Sequence, residues 1–132
     1  MPDRPMSALT VRQPFASAIV FGSKDVENRS WAASYRGRLL IHAGLGEDAA
    51  PDEAWAADEE HGSPRGLIIG HVRLLDCTRL RTDSSWAMPG AVHWLLACPV
   101  ALREPVPCKG RQGLWTVPDD AAAAVLAQLE DR

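Results

Sequence analysis

The sequence predicts an α+β domain that is mainly β: a small barrel with a short helix after its first strand and peripheral helices. Three observations carry this. Short apolar segments at residues 9–11, 37–43, 66–77, 93–98 and 113–117 recur with turn residues between them. One proline-opened helical stretch, from Gln13-Pro14 to Gly22, follows the first of them. The remaining helical patterns, rich in alanine and acids, lie at 47–62 and after Pro118.

Leu9-Thr10-Val11 reads as a short strand, and Pro14 suits a first helical turn because it has no N–H to satisfy there. Phe15, Ile19 and Val20 share one helical face, and Gly22 is placed for a left-handed stop. Residues 24–31 then fall in a loop or the start of a strand. Residues 37–43 form a strand, with Leu39 and Ile41 on one face and Arg38, Leu40 and His42 on the other. Between Pro51 and Gly62 the pattern is a solvent-facing helix anchored by Trp55. Residues 66–77 return to strand character, bent at Gly70. Segments 93–98 and 113–117 are further strands, separated by connections punctuated by Pro99, Pro105 and Pro107. A last helix follows Pro118, with Asp119 and Asp120 at its positive end and Val125, Leu126 and Leu129 available for packing.

The 132 residues suit one domain over 1–132 with a core at about 9–118. No apolar run approaches the ~20 residues that cross a bilayer. Met1-Pro2-Asp3-Arg4-Pro5 is not followed by a secretory apolar segment, so a cytoplasmic protein without membrane contact is expected. Cys77, Cys98 and Cys108 are widely spaced, which predicts reduced, mostly buried thiols and neither a zinc site nor a disulfide framework. His42, His71 and His93 lack ligand spacing, so no metal or other cofactor is expected.

Net charge is −3, but it is unevenly spread. Seven acids and no base lie between Glu47 and Glu60, leaving fourteen bases against ten acids elsewhere, a net of +4. Setting aside the tail from Asp119 as well leaves thirteen against six, a net of +7. Local field steers an anion more than pI does, so a basic surface for nucleic acid is compatible with this composition; two solvated acidic helices on an ordinary mixed surface are the alternative.

The most informative stretch is Gly22-Ser23-Lys24-Asp25-Val26-Glu27-Asn28-Arg29, spaced GxKxxExR. It sits in an ordered series of blocks: the first strand, the Gln-Pro helix, the motif, Tyr35-Arg36-Gly37-Arg38, Gly70-His71-Val72 and Gly113-Leu114-Trp115. This series resembles the ASCH domain (activating signal cointegrator homology) of the PUA-like superfamily, and the resemblance covers residues 9 to about 118. It implies a β-barrel like the RNA-binding PUA domain, with the motif lining a cleft between barrel and first helix. It also implies binding of RNA or DNA, single-stranded or carrying a modified base. Two enzymatic alternatives come with it, an N4-acylcytidine amidohydrolase and a metal-independent single-strand ribonuclease. The amidohydrolase branch carries threonine at the position of Glu27, so this chain departs from it there.

The residue chemistry nominates a site. Lys24, projecting after a helix stop, suits a phosphate or carbonyl, or a base if burial depresses its pKa; an ordinary exposed lysine is the alternative. Glu27 suits the amino group of a cytosine or adenine edge, or a counter-ion role to Arg29 or Arg12. Arg29, Arg36 and Arg38 have the planar donor geometry for phosphate or base contact. Trp31, Tyr35 and Trp94 offer stacking faces, whereas Trp86 and Trp115 read as loop anchor or core. Gln13 joins the base-binding set, as do Lys109 and Arg111, which with Gln112 lie in a loop bracketed by Gly110 and Gly113 that could approach a phosphate backbone; a plain turn is the alternative. Were the protein an enzyme, Lys24, Glu27 and Tyr35 would be its catalytic group, with His42 a further nearby proton carrier.

Overall fold

The computed structural model describes residues 5–80 and 83–130; residues 1–4, which carry the reading of the chain's start, lie outside them. Along the chain come β1 (Ser7–Gln13), α1 (Phe15–Phe21), β2 (Val26–Arg29), β3 (Gly37–Glu47), α2 (Asp52–Glu60), β4 (Leu67–Thr78), β5 (Val92–Pro107), β6 (Leu114–Thr116) and α3 (Asp119–Glu130). Six strands form one sheet in the order β2-β5-β4-β3-β1-β6, so the fold is α+β and mainly β. Among the described residues only β1 and β3 pair in parallel, and the connection between them carries α1 and β2.

Strand alternation sorts the apolar residues into two cores. Leu9 and Val11 of β1 and Leu39, Ile41 and Ala43 of β3 join Ile19 and Val20 of α1, Ile69, Val72 and Trp94 in the first. Ala8 and Leu40, one position out of step, join Ile68, Trp115, Val117 and the α3 residues Ala121 and Val125 in the second. The sheet curls so that β2, at one end, comes beside β1, next to the other end. Arg29 of β2 donates from Nη2 to the Thr10 carbonyl of β1 at 2.8 Å, although no backbone ladder joins these two strands.

Several expectations need correction. Gly22 ends α1 at φ −112°, not in a left-handed turn; a Cβ there would lie 2.9 Å from the Ala18 carbonyl oxygen, so close approach selects glycine. Of the two readings open for residues 24–31, the strand holds at 26–29, because these residues pair with 92–95 of β5. Segment 93–98 does not end at Pro99: β5 continues to Pro107, with register shifts against β4 and a left-handed Cys98 (φ 54°) absorbing the bends. Pro99 and Pro105 are exposed along it. Helix α2 is anchored by Ala54, Ala57 and Asp58 rather than by the half-buried Trp55. Cys98 is exposed, and Cys77 and Cys108 are only partly buried. No helix among the described residues is long and apolar enough to cross a membrane.

Candidate functional site

The seam between β1 and β2 is a cleft of about 640 Å³. Thr10, Val11 and Arg12 line one side and Glu27, Asn28, Arg29 and Trp31 the other. Phe15, Asp48 and the loop residues Arg111, Gln112 and Gly113 complete it. Period-two alternation puts Glu27 and Arg29 on the same side of β2, and both face this seam.

Three motif charges form a chain beneath it. Glu27 receives Arg29 Nε on Oε2 at 2.9 Å, and Lys24 Nζ lies 3.5 Å from its Oε1. The ammonium also donates to the Val26 carbonyl at 2.5 Å and sits 4.9 Å from the Phe15 ring centre and 5.5 Å from that of Trp86. The Lys24 side chain is only 3% exposed. Burial therefore lowers its pKa from the ordinary lysine value, against the opposing pull of the Glu27 carboxylate. A smaller cavity of about 200 Å³, lined by Lys24, Ile19, Val72, Leu96 and other residues, lies toward α1. Glu27, Arg29 and Trp31 line the larger cleft, whereas Lys24 lines the smaller cavity and reaches the larger one only through its contact with Glu27.

Neighbouring hydrogen bonds fix the walls. Asn28 donates to the Trp86 carbonyl at 2.9 Å, and its Oδ1 accepts from Met88 N at 3.0 Å and contacts His93 Nδ1 at 3.1 Å. Trp31 is 36% exposed, stands edge-on to Trp94 and accepts the Trp94 indole N–H on its carbonyl at 3.0 Å. On the opposite wall Trp115 Nε1 donates to Thr10 Oγ1 at 3.1 Å, and that hydroxyl lies 3.2 Å from His42 Nδ1. His42 Nε2 is 2.6 Å from the Cys108 carbonyl, which can only accept, so Nε2 carries the proton and Nδ1 accepts from Thr10. Burial lowers the His42 pKa in keeping with this neutral form. The loop carrying Arg111 rests on the same ring: a Cβ on Gly110 would come within 2.7 Å of His42 Cε1.

The ASCH domain family model matches residues 9–105. The chain belongs to the ASCH domain family. Activating signal cointegrator 1 of Mus musculus and of Homo sapiens are each 30% identical to it over 125 residues, which is 81% of this chain and 21% of theirs. The chain thus spans about a fifth of the length of these curated relatives. The crystal structure of ASCH from Zymomonas mobilis superposes with a TM-score of 0.60 at 17% identity, covering 95% of this chain and 96% of that one. A serine-to-alanine mutant of that protein gives 0.60 at 18%, covering 96% and 98%. At this identity the likeness is one of fold.

Within the ASCH fold the residues nominated from sequence separate into groups. Lys24, Glu27, Arg29 and Trp31 converge, and Arg111 joins them from the loop. Lys109 is exposed on that loop but is not part of the cleft wall. Gln13 is fully buried, donating to Ser17 Oγ at 2.8 Å and to the Pro64 carbonyl at 3.0 Å, so it is scaffold and not a base contact. Trp94 is 0% exposed and has no face open to a base. Tyr35, Arg36 and Arg38 lie outside the cleft wall. The Tyr35 hydroxyl donates to the Arg38 carbonyl, Arg36 reaches Asp76 at 3.2 Å, and Arg38 is exposed opposite Arg73 of β4. Glu27 takes Lys24 and Arg29 as partners, while Arg12 pairs with Asp48. Gln112, read from sequence with Lys109 and Arg111, lies in the cleft wall; sequence reasoning missed Thr10, Phe15, Asn28 and Asp48, and strand parity with Arg12 was the available signal for Thr10.

Proposed function

We propose that the seam cleft binds one base of a single-stranded or locally unpaired nucleic acid, or a modified nucleobase, stacked on Trp31 with its edge toward Glu27 and Arg29. One observation carries this reading. A partly exposed indole and a buried, cation-held carboxylate share one open cleft. Aromatic faces hold unstacked bases irrespective of sequence, while carboxylates accept from exocyclic amino groups. Each Glu27 oxygen has more than one acceptor site, so the bonds to Lys24 and Arg29 leave capacity for such a donor. Cytosine or adenine is therefore preferred over uracil.

Tryptophan fluorescence during titration with single-stranded RNA, single-stranded DNA and duplex DNA, repeated across salt concentrations, tests this. A saturable change with a single strand, lost in Trp31→Ala, is expected. No change with any of the three would sink the reading.

The amidohydrolase alternative is supported by one feature, a buried Lys24 beside a carboxylate, whose pKa burial lowers in the direction that base chemistry requires. Its test is release of cytidine from N4-acetylcytidine, lost in Lys24→Ala. The ribonuclease alternative draws no support from Tyr35, whose hydroxyl is engaged by the Arg38 carbonyl.

A further inference from the structure

Arg12 and Asp48 lie outside the motif, yet both line the cleft. Their side chains are 59% and 45% exposed, against 10% for Glu27, so they mark the mouth and Glu27 the floor. Arg12 is held against the end of β3: Nε donates to Asp48 Oδ1 at 2.8 Å and Nη2 to the Glu47 carbonyl at 2.9 Å. Its guanidinium lies across Gly46, where a Cβ would come within 2.6 Å of Cζ and Nη1. Glycine at that position is what lets the arginine lie there.

We propose that Arg12 takes a backbone phosphate of the bound strand at the cleft mouth, and that Asp48 competes with that phosphate for it. This rests on the base-binding reading above and adds an orientation, base inward and phosphate outward. The order of charges dictates it. A phosphate at the floor would face the Glu27 carboxylate across a poorly solvated gap, whereas at the mouth it meets Arg12 and Arg111. The bonds to Asp48 and Glu47 use Nε and Nη2, so Nη1 has hydrogens outside them. An exposed ion pair is worth only about 0–1 kcal/mol, so a phosphate displaces Asp48 at little cost. Asp48 thereby sets the affinity for the strand without touching the base.

A double-mutant cycle separates this from a general field effect. Affinities of the wild type, Asp48→Asn, Arg12→Gln and the double variant are measured for a short cytosine-rich single-stranded RNA and for free cytidine, with Asp52→Asn as a surface-charge control. Asp48→Asn is expected to tighten the RNA about threefold at low salt, and Arg12→Gln to weaken it about tenfold. Arg12→Gln also flattens the log–log salt dependence by about 0.7, the value of one single-strand phosphate contact. In the Arg12→Gln background the gain from Asp48→Asn disappears, and cytidine, which carries no phosphate, shows no such coupling between the two positions. Equal gains from Asp48→Asn in both backgrounds, matched by Asp52→Asn, would overturn the proposal, as would an unchanged salt slope in Arg12→Gln. Either result would leave base binding standing. Failure of the wild type to bind both ligands overturns base binding and this proposal together.

Discussion

Two buried carboxylates, Asp58 and Glu27, show how the same chemistry closes one part of this molecule and opens another. Asp58 is 0% exposed, and its oxygens are taken by Ser17 Oγ at 2.8 Å, Ser63 Oγ at 2.7 Å and Arg65 at 3.5 Å. With Gln13 bonded to Ser17, this network ties α1 to α2 and to the approach of β4, and it holds Ser63 in a left-handed conformation (φ 49°). Its donors converge from several sides. Glu27 is held by Lys24 and Arg29, both from its own segment, and borders an open cleft. A carboxylate surrounded by partners secures the fold, whereas one held only from its own segment keeps acceptor capacity.

The largest effect should therefore come from the closed cluster. Asp58→Ala leaves the Ser17, Ser63 and Arg65 donors without their acceptor and should cost about 3 kcal/mol, a fall of about 10 °C in Tm. Calorimetry measures this, and cleft affinity of the folded variant should stay within about twofold. A parallel loss of affinity would break the division between the two regions. Trp31→Ala should do the reverse, weakening single-strand binding by about 2 kcal/mol while moving Tm much less than Asp58→Ala does; titration and melting of the same sample check both. Glu27→Gln sharpens the contrast further. It should reduce preference for cytosine over uracil oligomers by about tenfold, since a neutral amide accepts less strongly from the exocyclic amino group.

A pH dependence separates the scaffold behind the cleft from its charged floor. The folded-state pKa of His42 lies below the ordinary 6.5, so between those two values the unfolded chain binds more protons. Stability contributed by neutral His42 is thus present above pH 6.5 and is lost as pH falls toward the folded pKa. Urea unfolding across this range, with imidazole NMR to follow His42, should show the decline. An NMR titration of His42 at or above 6.5 would refute it. The smallest effect is expected from Arg38→Ala, which should leave single-strand affinity within about twofold because Arg38 lies outside the cleft wall. A larger loss would extend the binding surface beyond the seam.

Much of this was legible in the sequence where the causes are local. The glycine after α1 follows from chain geometry, although close approach to Ala18 selects it and a left-handed turn does not. Alternation in β3 sorted Leu39 and Ile41 from Leu40 and His42 correctly. The length of β5 was hidden because Pro99 and Pro105 read as breaks, and only the bulged pairing with β4 shows how a strand carries them. Burial of Trp94 and Gln13 depends on α1 and on residues 31 and 64, and no local pattern encodes those partners. Arg12 and Asp48 are 36 positions apart, so their meeting at the cleft mouth depends on the parallel β1–β3 pairing.

The seam itself has an evolutionary consequence. Neighbouring strands in the sheet order are joined by backbone ladders, but between β1 and β2 the joint is made by the Arg29 side chain on the Thr10 carbonyl. Side chains lining that gap, Arg29 apart, can vary without breaking strand pairing. A sheet joined at one place by a side chain in place of a ladder leaves the lining of that gap open to substitution while its backbone frame stays the same.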